Sequence, residues 1–379
     1  MRAALICVTN HNYGSILQTY ALQEKIRSMG CDTTIIKYRE PICSKLKRCT
    51  DAEYLQTRIK MVMKRFSNRQ IASSLNVRAH AFERFINSKL FFSETFNSLD
   101  DISSYCRNFD IVILGSDQVW HPMNIIMNYF TLNFVPDEIC KAAYAPSFGV
   151  KEIPSRYVRA YKSFIPRFQY LSSREKQGVE LIKQLTGRDA KFVCDPTMLL
   201  MPEEWRVKFV SAAKPKEQYI FCYFIGNNPQ QRNAVKAFSK KTGFKITAIL
   251  HVDEYIAADE DFCDEALYDV TPLDFIKLID QASYVFTDSF HASVFSILFH
   301  KTFWVFDRFE NNGHHSTSSR ITSLLDMVGL HTRFIHKTNN FSANVDTFVD
   351  YKAVDCKLNE VRTDSLSYLY SFIDISAKV

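Results

Sequence analysis

Several familiar signatures are absent from this chain, and each absence narrows the field. The ten cysteines show neither zinc-ligand spacing nor a Cys-x-x-Cys pair. No Gly-x-Gly-x-x-Gly occurs, so a dinucleotide cofactor has no support. No stretch approaches the roughly 20 apolar residues of a membrane span. The apolar run at residues 3–8 is too short for the core of a signal peptide. Repeats and low-complexity segments are missing too. Charge of one sign is scarce: 47 Lys and Arg stand against 41 Asp and Glu, a net +6. So mild an excess does not imply nucleic acid, and no nucleic-acid partner is expected. It fits an anionic small substrate or an anionic membrane surface.

What is present describes a large globular chain. Its 379 residues exceed the about 100–200 of one domain, so two domains are the first expectation. With 46% hydrophobic and 23% charged residues it can bury a core without disulfide staples. Cys7, Cys194 and Cys222 sit inside apolar runs, where a reduced thiol packs as a small hydrophobe. A reducing, cytoplasmic compartment is expected.

Short apolar runs alternate with longer helical stretches. Residues 3–8, 33–38, 110–114, 141–145 and 191–194 read as strands of a first series. Residues 15–29 read as a helix stopped by Gly30, and residues 54–90 as a helical region rich in Lys and Arg. Ser172-Ser173-Arg174-Glu175 has the form of a capping box opening a helix that Gly187 ends. The pattern then restarts. Strands are expected at 219–225, 245–250, 284–287 and 302–306, and helices at 229–242, 273–281, 291–299 and 319–328. Thr271-Pro272 supplies an N-cap followed by proline at the first helical position. Two such series predict an α/β chain with two Rossmann-like domains and mostly parallel sheets. The expected division is 1–205 and 206–353, with 354–379 a helical segment packing back on the first domain.

In open parallel sheets, ligands bind beyond the carboxyl ends of the strands. The loop Thr287-Asp288-Ser289-Phe290-His291 lies there and places His291 on a helix N-terminus, which attracts phosphate or carboxylate. His291 is either an anion contact and proton donor or a capping or core histidine. Asn12-Tyr13-Gly14-Ser15 also joins a strand to a helix, and Gly14 allows close approach of a ligand. It reads as a binding loop or as an ordinary helix start. In Gly115-Ser116-Asp117-Gln118, Asp117 is a general base or an N-cap. Arg174, read as lying in the first turn of its helix, opposes the dipole and suggests a nearby anion. Arg320 follows the polar loop Gly313-His314-His315. The paired histidines lack a carboxylate at ligand spacing, so no metal is expected. The basic stretch Arg58, Lys60, Lys64, Arg65, Arg69, Arg78 and Arg84 is a solvated helical face or a peripheral contact with an anionic membrane.

Taken together, the loops resemble one family. Asn12-Tyr13-Gly14-Ser15-Ile16-Leu17-Gln18-Thr19-Tyr20-Ala21-Leu22 resembles the opening N-x-G-x-x-L-Q-x-Y-A-L motif of the polysaccharide pyruvyl transferases. Gly115-Ser116-Asp117-Gln118-Val119-Trp120 resembles their G-S-D-Q-x-W. Ser147-Phe148-Gly149, Ser173-Arg174-Glu175 and Asp195-Pro196-Thr197 match further signatures. Thr287 through Ser296 resembles T-D-S-F-H-x-x-x-F-S, and Ser319-Arg320-Ile321 the closing S-R-I helix. The matches run in order from about residue 5 to 330.

The resemblance implies a GT-B-like arrangement with the site in an interdomain cleft, the donor on the second domain and the acceptor on the first. It implies phosphoenolpyruvate as donor and a sugar acceptor, including a lipid-linked one at the inner face of the membrane. The products are a pyruvate ketal and free phosphate, as in capsule or exopolysaccharide synthesis. Such chemistry needs a general acid facing the enol and cations holding two anionic groups, with no metal or organic cofactor. His291 is the candidate acid or phosphate contact. Asp117 is the candidate for orienting or deprotonating the acceptor hydroxyl. Asn12, Tyr13, Gly14, Gln18, Ser116 and Ser289 are candidate substrate contacts. Family members carry a basic residue two places before the motif histidine. Here that place is Ser289, which leaves Arg174 and Arg320 as the expected anion-binding cations. A nucleotide-sugar glycosyltransferase of the same architecture and a non-catalytic sugar-phosphate binding protein are the competing readings.

Overall fold

The computed structural model describes residues 1–41, 69–209, 217–250, 256–308, 317–336, 341 and 348–373. The chain divides into two compact units. One comprises Met1–Arg58, Asn87–Leu200 and Asn359–Val379, the other Ile59–Ile86 and Met201–Leu358.

The first unit is built on a parallel sheet of β1 (Arg2–Ile6), β2 (Asp32–Tyr38), β3 (Phe92–Phe96), β4 (Ile111–Leu114) and β5 (Cys140–Ala143). The order is β3-β2-β1-β4-β5. Every pairing is parallel, with Ala3 opposite both Thr33 and Ile111. All four residues of β4, Ile-Val-Ile-Leu, are buried. Burial on both faces makes a parallel strand an unbroken apolar run rather than an alternating one. Helix Tyr13–Ser28 covers one crossover. A two-stranded parallel ribbon, β6 (Ser172–Ser173) and β7 (Lys191–Phe192), extends the unit. Trp120 anchors the core, with Phe148, Phe164 and Phe168 ring centroids 5.4–5.8 Å away.

The second unit repeats the plan with β8 (Tyr219–Tyr223), β9 (Lys245–Ile249), β10 (Glu265–Leu267), β11 (Tyr284–Thr287), β12 (Thr302–Phe306) and β13 (Phe334–Ile335). The order β10-β9-β8-β11-β12-β13, parallel throughout, is the 3-2-1-4-5-6 order of a doubly wound fold. Phe238, from helix Pro229–Thr242, packs on Tyr284, Phe286 and Trp304. Helix Pro272–Gln281 opens on the expected Thr271 cap, with Asp274 completing a reciprocal capping box.

The C-terminal helix Tyr351–Ile373 is tied to the first unit through its second half. Cys194 N donates to Ser365 Oγ (2.8 Å), Arg362 Nε to Met198 O (2.6 Å) and Tyr368 OH to Ala143 O (3.0 Å).

One local expectation is overturned. Ser172 and Ser173 do not cap a helix; they form β6. Ser172 Oγ donates to Ala143 O (2.6 Å) and accepts from Ala145 N (2.9 Å), so its hydroxyl belongs to the sheet. The helix begins at Lys176, with Glu175 as an N-cap that makes no side-chain cap bond. Arg174 therefore precedes the helix instead of lying in its first turn, and the dipole argument does not apply to it. Of the basic stretch, Arg58, Lys60, Lys64, Arg65 and the Arg69 side chain lie outside the described residues. Arg78 donates to Leu250 O (2.8 Å) and Arg84 pairs with Asp269 (2.6 Å), both within the second unit. Among the described residues no helix is long and apolar enough to cross a membrane.

Candidate functional site

In each sheet the strand order reverses at one point, between β1 and β4 and between β8 and β11. Loops leaving those strand ends diverge and open a crevice. Each unit carries a polar cluster there.

In the first unit, helix Tyr13–Ser28 starts beyond β1. Asn12 caps it, its Oδ1 accepting from Ser15 N at 3.2 Å. Tyr13 and Gly14 are buried in the first turn. Gln18 is buried one turn on. Its Nε2 donates to Ser15 O and Thr19 Oγ1, both at 2.8 Å, which fixes the face that presents Ser15. Ser15 Oγ in turn donates to Asp117 Oδ2 at 2.5 Å.

Asp117 follows β4 with φ +75° and ψ −172°, a region used almost only by glycine. Two amides hold it there, Val119 N and Ser147 N, each donating to Asp117 O at 2.8 Å. Its side chain makes no cap bond to the turn Gln118–Trp120, which removes the simple N-cap alternative. The carboxylate is 15% exposed.

Behind it lies Arg174, with a side chain only 1% exposed. Nη1 donates to Asp195 Oδ2 (2.6 Å) and Ser116 Oγ (3.3 Å), and Nη2 to Asp117 Oδ1 (3.4 Å). Glu175 stands 3.8 Å from Nε and accepts from Ser147 Oγ at 2.6 Å. Burial alone would lower the guanidinium's proton affinity. Asp195, Asp117 and Glu175 more than offset it and hold Arg174 above its ordinary value. Asp195 also accepts from Thr197 N and Oγ1. Cys7 lies against this loop, where an added Cβ on Gly115 would meet its Sγ at 2.5 Å. Burial pushes the Cys7 thiol up to about 12, so it is no nucleophile at neutral pH.

In the second unit, Asp288 occupies the strand end of β11 and is fully buried. Its Oδ1 accepts from Ile225 N (2.7 Å) and its Oδ2 from Gly226 N (2.8 Å), which clamps the turn after β8 to the turn after β11. Thr287 Oγ1 donates to Tyr223 O and accepts from Ser289 N. Ser289 is the N-cap of helix Phe290–Leu298, its Oγ accepting from Ala292 N at 3.5 Å. His291 is buried in the first turn, edge-on to Phe290 with ring centroids 5.1 Å apart.

A cation that the sequence reading missed arrives from the end of β12. Arg308 Nη2 donates to Asp288 O at 3.2 Å, and its Nε stands 4.0 Å from Asp288 Oδ1. Its side chain is 18% exposed, far more open than Arg174. Arg320 is buried in helix Thr317–Val328, which packs on helix Phe290–Leu298. The loop Gly313-His314-His315 lies outside the described residues. Among those described, no group of three or more His, Cys, Asp and Glu side chains gathers for a metal ion.

The structure thus assembles Asn12, Ser15, Ser116, Asp117 and Arg174 in one unit, and Ser289, His291 and Arg308 in the other. Asp195, Glu175, Asp288 and Arg308 were given no role by sequence reasoning. The first three stand within the motifs quoted above, and Arg308 follows a strand end like every other candidate.

The model of one family, polysaccharide pyruvyl transferase, matches residues 12–310. No curated protein matches the chain. Among solved structures, UDP-N-acetylglucosamine 2-epimerase from Rickettsia bellii is similar at 10% identity, with a TM-score of 0.51 over 99% of this chain and 97% of that one. UDP-GlcNAc 2-epimerase from Methanocaldococcus jannaschii is similar at 11% identity, with a TM-score of 0.50 over 95% and 92%. At such identities the likeness is one of fold alone. The fold is α/β, as the two strand series predict, and GT-B-like, as the family resemblance implies.

Proposed function

The chain belongs to the polysaccharide pyruvyl transferase family, and from that premise we propose that it transfers the pyruvyl group of phosphoenolpyruvate to two hydroxyls of a sugar in a polysaccharide precursor. The products are a cyclic pyruvate ketal and phosphate. The observation that carries the reading is the start of helix Phe290–Leu298, where Ser289 caps the helix, His291 lies in its first turn, and Arg308 is hydrogen-bonded to the carbonyl of Asp288 just before the cap. A helix N-terminus with an adjacent guanidinium is built for a phosphate or carboxylate.

The donor belongs to this second-unit cluster. Arg308 supplies the positive charge that the family's pattern would place at Ser289, where a serine serves instead as the helix cap. Arg174, paired with three carboxylates, is not the donor's cation. Arg320 stands on the helix that packs against helix Phe290–Leu298 and is the second candidate for charge on this side.

The steps balance as follows. His291 gives a proton to the methylene carbon, which becomes the methyl group. One sugar hydroxyl attacks the adjacent carbon and its proton passes to Asp117. The carbon–oxygen bond to phosphate breaks, and the phosphate leaves with the proton that Asp117 took up, which restores the carboxylate. The second hydroxyl then closes the ring, and its proton restores His291. Asp117 is suited to the hydroxyl because its carboxylate already receives one from Ser15. Asn12, Gly14 and Gln18 shape the helix start that presents Ser15.

Phosphate release from phosphoenolpyruvate, measured against a panel of pyranosides with neighbouring or 4,6-placed hydroxyls, tests the reading. The expected result is acceptor-dependent release, with a thermal shift on adding phosphoenolpyruvate. A shift with uridine diphosphate and none with phosphoenolpyruvate would overturn it in favour of a nucleotide-sugar enzyme.

A further inference from the structure

The transfer reading gives Asp117 the acceptor's proton but does not say what keeps its carboxylate in place. The backbone is held in a conformation that a non-glycine residue leaves whenever it can. Two amides fix Asp117 O. The side chain is restrained further by Ser15 Oγ on one oxygen and by Arg174 Nη2 on the other. The second restraint is no surface arginine. It is a buried guanidinium whose other edge is bound to a fully buried carboxylate, Asp195, at 2.6 Å, with Ser116 Oγ hydrogen-bonded to both. Asp195 is itself fixed by Thr197 through two hydrogen bonds.

We propose that Asp195 and Arg174, joined through Ser116, are positioning residues that act on the acceptor step through Asp117. The inference rests on the reading of Asp117 given above. Arg174 shares one charge unequally, close to Asp195 at 2.6 Å and farther from Asp117 at 3.4 Å. That division keeps Asp117 oriented without tying its carboxylate into a tight ion pair, which would make it a poor proton acceptor. Ser15 and Glu175 also face the cluster, from the helix start and from the residue after Arg174, and the Asp195 carboxylate acts on the buried Tyr144 and Cys194 beside it. The two positioning residues touch no substrate in this scheme. Their effect should appear in the titration of Asp117 and in kcat, and not in the KM for phosphoenolpyruvate.

The test uses the full chain with its aspartate carboxyl carbons labelled with carbon-13. The Asp117 resonance is assigned by its loss in Asp117→Asn. In Asp195→Asn the guanidinium turns its charge toward Asp117, and the midpoint of the Asp117 resonance moves to lower pH. In Arg174→Lys a point charge stays with Asp195 and leaves Asp117, so the midpoint moves to higher pH. Each shift is expected to be on the order of one pH unit. The acid limb of the phosphate-release profile should move with it, while kcat falls about tenfold or more and the KM for phosphoenolpyruvate holds. Either variant that folds and keeps the wild-type midpoint overturns the proposal, even if its rate has dropped, because that is what a purely structural role produces. Should Asp195→Asn not fold, Arg174→Lys decides. A wild-type chain that releases no phosphate with any acceptor sinks the transfer reading separately, and the resonance midpoints still decide the positioning.

Discussion

The two strand-reversal clusters have the same architecture and opposite electrostatics. In the first unit the arginine is sealed, 1% exposed, and its charge is matched by Asp195, Asp117 and Glu175. What that unit offers a ligand is a hydrogen-bond acceptor, the partly exposed Asp117. In the second unit the carboxylate is sealed instead. Asp288 is held by two backbone amides, and Arg308 keeps 18% of its side chain in solvent beside a helix start. What that unit offers is positive charge. A neutral hydroxyl suits the first and an anion the second. The sign of what is left exposed, not the number of charged groups, separates the two roles.

That contrast can be broken at several points. The largest effect is expected on the second-unit side. His291→Ala should cut acceptor-dependent phosphate release by roughly 10²–10⁴-fold, the usual worth of a general acid, without lowering the melting temperature by more than a few degrees. Full release by His291→Ala would end its catalytic role. Asp117→Asn comes next, with about 10²-fold lost in kcat and little change in the KM for phosphoenolpyruvate. If that KM rose instead, the division of donor and acceptor between the units would be wrong. Arg308→Ala should act in the complementary way. Loss of one charged hydrogen bond to the donor, about 1.5–3 kcal/mol, raises its KM roughly 10- to 100-fold and leaves acceptor dependence intact. An Arg308→Ala enzyme with wild-type donor affinity would transfer that role to Arg320.

How much of this was open to a reader of the chain varies with the kind of interaction. Strands such as β11 and β12 were legible because burial on both faces demands continuous apolar runs, and Tyr284–Thr287 and Thr302–Phe306 have them. Helix Pro229–Thr242 was legible from a proline at its start and Gly243 beyond its end, where φ is +75°. Ser172 misled because Ser-x-x-Glu is a local pattern, whereas its hydroxyl is claimed by Ala143, 29 residues away. Arg174 misled for a related reason. Its motif position was correct, but two carboxylates from distant loops, Asp117 and Asp195, join its neighbour Glu175 in deciding what its charge does, and their convergence is a property of the fold. Arg308 was hidden differently. It lies 17 positions beyond His291 and joins the same cluster only because β12 lies beside β11. Applying the strand-end rule to β12 as well as to β11 would have brought it into view.

The smallest expected effects come from the two glycines at the reversal points, and they sharpen the comparison because the obstacles differ in kind. At Gly226 an added Cβ would meet the Arg308 backbone oxygen and Cγ inside contact distance, with Asp288 Oδ2 at 2.9 Å. Backbone cannot step aside, so Gly226→Ala must move Arg308. It should cost about 1–3 kcal/mol of stability and weaken phosphoenolpyruvate together. At Gly115 the nearest atom is the Cys7 Sγ, the end of a side chain, with Leu22 Cδ2 next at 3.4 Å. Gly115→Ala should cost less, at the lower end of the same range, with the donor's KM untouched. The obstacle there is also removable. Shortening Cys7 to alanine makes room for the new methyl, so the Gly115→Ala and Cys7→Ala changes in one chain should be more stable than the sum of their separate losses predicts, by about 0.5 kcal/mol or more. Calorimetric melting of the four chains measures this coupling. Strict additivity would mean that Gly115 answers to the strained backbone of Asp117 rather than to the thiol, and would extend the rigidity argued for that aspartate back into β4.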